Sequence, residues 1–192
     1  MTKKHLDISV HPFAAAGLFL LFFAAPRTYA FAVFSSVLLH EAGHLTAALL
    51  LRKRLNGIKI VPTGINLELS AASSYTEEFL IASAGPIMNL LYALLSFLLP
   101  REISETVRGI SLVLACINLL PLSPLDGGRT VYALVSQLFG ERAARSLGQI
   151  TNLFLLSALW VLSLYIFFYS GANFTLLLFC AYLFSYIVVK KL

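Results

Sequence analysis

The sequence predicts an all-α polytopic membrane protein, with about six transmembrane helices and a small β-hairpin between the second and third. Three observations carry that prediction. Of the 192 residues, 59% are hydrophobic and 12% are charged, and the mean hydropathy is +0.85; an ordinary soluble domain is about 25% charged. The apolar residues gather in runs, most of them near the length a helix needs to cross a bilayer, about 20 residues. The basic residues sit between those runs, where membrane proteins place them, and not along one face. So little polar surface cannot cover a soluble globule, which excludes disorder, a solvated coiled coil and a water-soluble enzyme. The net charge of +5 and pI near 9.4 therefore do not indicate nucleic acid. Cys116 and Cys180 lie inside apolar runs and read as small hydrophobes, with no disulfide framework and no Cys-x-x-Cys metal site.

Six segments follow from the apolar runs: Ile8 to Ala25, Ala30 to Leu51, Phe79 to Leu99, Val107 to Leu120, Asn152 to Tyr169 and Phe174 to Val189. The fourth and sixth are short for a full span. Pro26-Arg27-Thr28, Pro100-Arg101-Glu102 and Ser170-Gly171-Ala172-Asn173 are tight polar breaks that turn a helix hairpin. Lys3 and Lys4 before a modest apolar stretch also resemble a signal peptide. Thr28-Tyr29-Ala30 is a poor cleavage site, so a retained first helix is expected. Between the second and third segments, Ile58 to Val61 and Ile65 to Leu69 flank Pro62-Thr63-Gly64, short alternating runs around a turn, hence the hairpin. After Gly127-Gly128, Thr130 to Val135 reads as a short helix lying along the membrane and ended by Gly140. No internal repeat or appended soluble domain is visible, so residues 1–192 read as a single integral-membrane domain.

Orientation comes from the basic residues. With the N-terminus in the cytoplasm, the inner side holds Lys3, Lys4, Arg52, Lys53, Arg54, Lys59, Arg129, Arg142, Arg145, Lys190 and Lys191, eleven of the 14. Only Arg27, Arg101 and Arg108 fall outside, a strong positive-inside bias that puts both termini in the cytoplasm.

Chemistry is legible in the acids. Of nine, Glu41 alone sits mid-segment, and Asp126 follows the fourth segment after a proline-broken stretch. An ionisable group in hydrocarbon costs at least about 2.5 kcal/mol at mid-helix, so it marks function. Glu41 belongs to His40-Glu41-Ala42-Gly43-His44. Residues four apart share one helix face, so both imidazoles can reach one metal ion, and Glu41 beside them can take a proton from water. A pair of satisfied histidines bonded to neighbouring helices is the plainer alternative. Ala42 and Gly43 leave a small face that permits close helix approach or substrate entry.

A catalytic zinc commonly has three protein ligands and one open position. His5 and His11 read as juxtamembrane residues. Asp126, in Asn118-Leu119-Leu120-Pro121-Leu122-Ser123-Pro124-Leu125-Asp126-Gly127-Gly128-Arg129, is the better candidate. Pro121 and Pro124 prevent a continuous helix and the two glycines free the chain beyond the carboxylate; an ordinary helix-ending turn is the other reading. For Asp126 to serve, the broken stretch must fold back towards His40 and His44.

The pairing of His-Glu-x-x-His on one segment with Asn-x-x-Pro-x-x-x-x-Asp-Gly about eighty residues on resembles the site-2 proteases, the zinc intramembrane metalloproteases, over residues from about 30 to 130. The resemblance implies one Zn2+ held by His40, His44 and Asp126, with Glu41 as catalytic base. It also implies that Ala84-Gly85-Pro86-Ile87-Met88-Asn89 opens the third helix and that Asn89 and Asn118 line the site, although interhelical hydrogen bonding would explain both asparagines. Within the family, the compact layout and Pro-Leu-Asp-Gly-Gly-Arg are most similar to the stage IV sporulation protein FB branch. That branch cleaves an inactive sigma-factor precursor. Its members commonly carry a C-terminal nucleotide-binding domain, absent from this sequence, as is the PDZ domain of other branches.

The implied activity is hydrolysis of a peptide bond in or beside a membrane segment of a membrane-associated protein. A bacterial cytoplasmic membrane is its implied setting, a regulatory membrane protein a further implied partner, and nucleic acid is excluded. A helical substrate must unwind, and the edge of the 58–69 hairpin, at Ile65 and Leu67, is where it would be held as an added strand. Three alternatives stand beside this. Glu141 as third ligand places it in a charged, Ala-rich stretch better read as solvated helix. A metal transporter would need polar ligands along several helices, and the first, fifth and sixth segments offer almost none. An inactive metal-binding relative would have no use for Glu41.

Overall fold

The computed structural model describes residues 7–10, 19, 22–61, 64–70, 74–170 and 174–189. The chain forms two compact units, residues 1–118 and 119–192.

In the first unit, strand β1 (Asp7–Val10) pairs in parallel with β2 (Leu55–Val61), which pairs antiparallel with β3 (Gly64–Leu69), giving the order β1-β2-β3. The first predicted segment is thereby corrected at its start. Ile8 to Val10 is a strand matched to Ile58, Lys59 and Ile60, not the beginning of a span. Residues 11–18, 20 and 21 lie outside the described residues, and 22–24 are helical. The register of β3 places Ile65 opposite Ile60 and Leu67 opposite Ile58.

Helix α1 (Arg27–Leu50) and helix α2 (Tyr75–Leu95) form the body of this unit. Ser74 caps α2 by accepting from the Glu77 N–H, and Glu77 and Glu78 sit in the first turn, where carboxylates meet the positive end of the helix dipole. The family-like Ala84 to Asn89 element is therefore mid-helix and does not open it. The buried residues of α1 recur every fourth position, at Ala32, Ser36, His40, His44 and Ala48, and those of α2 include Ala82, Gly85, Asn89 and Ala93. Such stripes of small and polar residues let helix backbones approach closely where lipid offers no hydrophobic drive. Gly43 shows how close. A Cβ there would lie 2.6 Å from the Ala84 carbonyl oxygen.

After the 3-10 turn Ser96–Leu98 comes helix α3 (Arg101–Leu119), whose Ser111 Oγ lies 2.8 Å from Ser36 Oγ. The buried Ser36–Ser111 pair satisfies two hydroxyls that would otherwise be stranded. Where α1 ends, Lys53 bonds Glu77 at 2.7 Å, with the Lys53 side chain only 8% exposed.

In the second unit, helix α4 (Asp126–Phe139) ends at Gly140, which has φ +85°, a conformation suited to glycine. Helix α5 (Glu141–Ser170) and helix α6 (Thr175–Val189) follow. Glu141 begins α5, so the Ala-rich stretch is continuous with the fifth segment. Phe154, Val161 and Phe168 on α5 are 69–78% exposed.

Among the described residues, three helices are long and apolar enough to cross a membrane: Arg27–Leu50, Tyr75–Leu98 and Glu141–Ser170; Thr175–Ile187 is apolar but shorter. All but the last residue of the expected fourth segment lies in α3, which opens on the charged Arg101 and Glu102 and does not meet that standard.

Candidate metal centre

The site is built on α1 and α2. Helical spacing puts His40 and His44 one turn apart on the buried stripe of α1, their exposures 5% and 7%. His44 Nδ1 lies 2.7 Å from the carbonyl oxygen of Ile81. A carbonyl only accepts, so Nδ1 is the donor, and Nε2 is turned towards His40. His40 Nε2 is 3.2 Å from His44 Nε2, and His40 Nδ1 is 3.1 Å from Asn89 Nδ2. The rings meet edge to face at 88°.

Space for those rings depends on Gly85. A Cβ at that position would collide with His44 Nε2 and lie 2.6 Å from His44 Cε1 and 2.9 Å from His40 Cε1. Ordinary contact begins at 3.4 Å, so only glycine leaves both imidazoles where they are.

The two nitrogens fit a metal. Ligands at about 2.0–2.1 Å from a tetrahedral zinc are about 3.3 Å apart, and the observed 3.2 Å agrees. The anchored Nδ1–H of His44 is the partner that fixes ring orientation in metal-binding histidines. Glu41 follows His40 directly and is half-buried.

Asp126 belongs to the second unit. The chain leaves helix at Leu119 and re-enters at Asp126, across Pro121 and Pro124. The Ser123 N–H donates to Asn152 Oδ1 at 3.0 Å, fastening this stretch to α5. Asp126 is the first residue of α4 and 8% exposed, with Oδ1 receiving Arg129 Nη1 at 3.3 Å. Gly127 and Gly128 let the helix start close under the preceding chain: a Cβ on Gly127 would strike the Leu119 carbonyl, and one on Gly128 would lie 2.5 Å from the Leu122 carbonyl oxygen.

Of the other candidates, Asn89 joins the imidazole pair, whereas Asn118 donates to the Leu114 carbonyl of its own helix at 3.1 Å. Ile65 and Leu67 lie on β3, at the edge of the sheet. His5 and His11 fall outside the described residues. Cys116 is exposed and Cys180 buried, and neither forms a disulfide. Sequence reasoning missed Ile81, whose contribution is a main-chain carbonyl and has no sequence signature. It also missed Asn152, which only the fold brings beside Ser123.

The model of the family described as Peptidase M50B-like matches residues 13–168. Stage IV sporulation protein FB of Bacillus subtilis is 31% identical over 172 residues, covering 82% of this chain and 58% of that protein. A zinc metalloprotease of Methanocaldococcus jannaschii is 27% identical over 117 residues, covering 56% of this chain and 34% of that protein. The chain thus spans about a third to three fifths of these curated relatives. In structure it is similar to a site-2 protease from Methanocaldococcus jannaschii, with TM-score 0.68 and 20% identity, covering 95% of this chain and 90% of that one.

Proposed function

The chain belongs to the Peptidase M50B-like family, and on that premise we propose that it is a zinc-dependent intramembrane endopeptidase. The observation that carries the reading is the imidazole pair. Two Nε2 atoms lie 3.2 Å apart on one apolar helix, one ring is anchored through Nδ1, and Glu41 is the adjacent residue. His40, His44 and Asp126 hold one Zn2+; support for Asp126 comes from its motif, its burial and its position at a helix start beyond an unwound stretch.

Bound zinc supplies Lewis acidity, bringing the pKa of water towards neutrality and polarising a carbonyl. The chain's own residues do the rest. Glu41 accepts a proton as the water oxygen bonds to the scissile carbonyl carbon. It then returns that proton to the nitrogen as the C–N bond breaks, so water is divided between a carboxylic acid and an amine. A helical substrate hides its peptide groups in its own hydrogen bonds and must be extended first. The edge strand β3, through the backbone of Ile65 and Leu67, holds it as an added strand, and Asn118 lines the approach. The protein is multi-pass with both termini cytoplasmic, a reading supported by the bias of basic residues between the apolar runs. Its substrate is a membrane-associated protein, licensed by a regulatory membrane partner. The 31% identity to Stage IV sporulation protein FB makes a sporulation sigma-factor precursor the first substrate to try.

Co-expression with tagged candidates tests the activity. Wild type should release a shortened product. Glu41→Gln should lower turnover by about 10²–10⁴-fold while still binding zinc. Equal cleavage by Glu41→Gln would refute the assignment of the base.

A further inference from the structure

Helix α1 ends in a turn that glycine ordinarily makes. The Arg52 N–H donates to the Leu49 carbonyl at 2.9 Å and the Lys53 N–H to the Ala48 carbonyl at 2.8 Å, the paired bonds of a Schellman cap. That motif needs a left-handed residue just past the helix, and here the residue is Arg52, with φ +58°. A Cβ makes the conformation costly, which is why glycine dominates the position. Nothing within the chain offsets the cost. Among the described residues the exposed Arg52 guanidinium has no hydrogen bond, ion pair or ring contact. The two cations that follow it divide. Lys53 turns into the chain, 8% exposed and 2.7 Å from Glu77. Arg54 is exposed, and among the described residues only its main chain is bonded, to Ser70. Just before this turn Leu49 and Leu50 are 57% and 79% exposed, at the end of a helix long and apolar enough to cross a membrane. Two exposed guanidiniums therefore stand where a spanning helix passes from lipid tails to water.

We propose that Arg52 and Arg54 are a docking site for the headgroup of an acidic phospholipid, whose phosphate the two guanidiniums hold. Three features favour this occupant. A guanidinium presents a fork of donors that matches phosphate oxygens. The exposed leucines call for apolar tails beside the arginines, which a phospholipid has and a free phosphate lacks. The bias of basic residues assigns this end of α1 to the cytoplasmic side, where acidic lipids draw arginines to the surface. A headgroup thus supplies the interaction that a glycine at position 52 would forgo. The site has a consequence for the fold. His44 lies about two turns before the cap and β2 begins at Leu55, so holding this turn at the headgroup level sets the depth of the histidine pair and of the sheet. Lipid binding needs neither zinc nor turnover, so the inference goes beyond the protease reading and does not rest on it.

The purified chain in detergent micelles, titrated with phosphatidylglycerol or with phosphatidylcholine of the same acyl chains and read by native mass spectrometry, tests the site. Wild type should retain the acidic lipid in preference to the zwitterionic one. Each arginine near an acidic headgroup favours binding about fivefold, so replacing both Arg52 and Arg54 by Gln should lower that preference about 30-fold. Arg52→Lys should keep most of it. Arg101→Gln, at a side chain 91% exposed and remote in sequence from this turn, should leave it unchanged. Arg52→Gly separates the side chain from the backbone. It relieves the left-handed turn, so it should melt no lower than wild type in neutral micelles, yet lose about fivefold in lipid preference. Wild-type preference in the double variant would overturn the proposal. So would an Arg52→Gly chain that melts lower, because its side chain would then be needed within the fold. Displacement of the acidic lipid by inorganic phosphate would assign the arginines to a soluble anion, and impaired substrate cleavage with unchanged lipid preference would assign them to the substrate; either result overturns it. If the double variant does not fold, Arg52→Gly and a salt titration of wild type decide, and a preference that salt does not weaken refutes the site.

Discussion

Gly85→Ala puts one methyl group between α2 and the imidazole pair. The new Cβ would fall about 0.8 Å short of ordinary contact with His44 Cε1 and about 0.5 Å short with His40 Cε1, and would overlap His44 Nε2. His44 cannot retreat without stretching its 2.7 Å bond to Ile81, and the backbone of α2 is held against Gly43. Overpacking of this kind costs about 1–3 kcal/mol. Because the displaced atoms are the proposed ligands, that cost falls on zinc binding and corresponds to about 5–150-fold weaker affinity. Chelator competition on the purified chain measures it. Gly109→Ala is the control, since a Cβ there meets nothing within 4 Å, and it should bind zinc like wild type. If Gly85→Ala binds zinc within about twofold of wild type, the rings are not held where the structure puts them and the reasoning from ring placement fails.

Gly43→Ala should lower the thermal stability of the chain by about 1–3 kcal/mol, because the obstacle 2.6 Å away is the Ala84 backbone; unchanged unfolding would mean that α1 and α2 part easily. Asn152→Leu leaves the Ser123 N–H without its acceptor, costing about 1–3 kcal/mol. With the stretch before Asp126 loosened, weaker zinc binding should accompany the stability loss. Ile65→Pro or Leu67→Pro on the edge strand should impair cleavage of a tagged substrate while zinc stays bound, and normal cleavage would count against strand addition.

What could be read in advance was local. His-Glu-x-x-His needs only the helical repeat to put His40 and His44 on one face, and the α1 stripe has that repeat. Pro121 and Pro124 each remove a backbone donor and crowd the turn before them, and the chain does leave helix between Leu119 and Asp126. Gly140 ends α4 for the same kind of reason. The misses depend on distant partners. Ile8 to Val10 looks like the start of an apolar run, and becomes a strand only because β2, some fifty residues on, offers a parallel edge. Phe79 seemed to open the third segment, whereas the Ser74 cap and the Lys53–Glu77 ion pair carry α2 back to Tyr75. Asn89 and Gly85 stood in the sequence as parts of a resemblance. Their contacts with His40 and His44 follow from the register of α2 against α1, which no local pattern encodes.

The proposed chemistry needs a carboxylate to complete the histidine pair around one ion. Metal analysis and chelator competition on purified wild type, Glu41→Gln and Asp126→Ala measure this without any substrate. One zinc per chain is expected in wild type and in Glu41→Gln, with affinity reduced by more than about 100-fold in Asp126→Ala. Wild-type affinity in Asp126→Ala would contradict it.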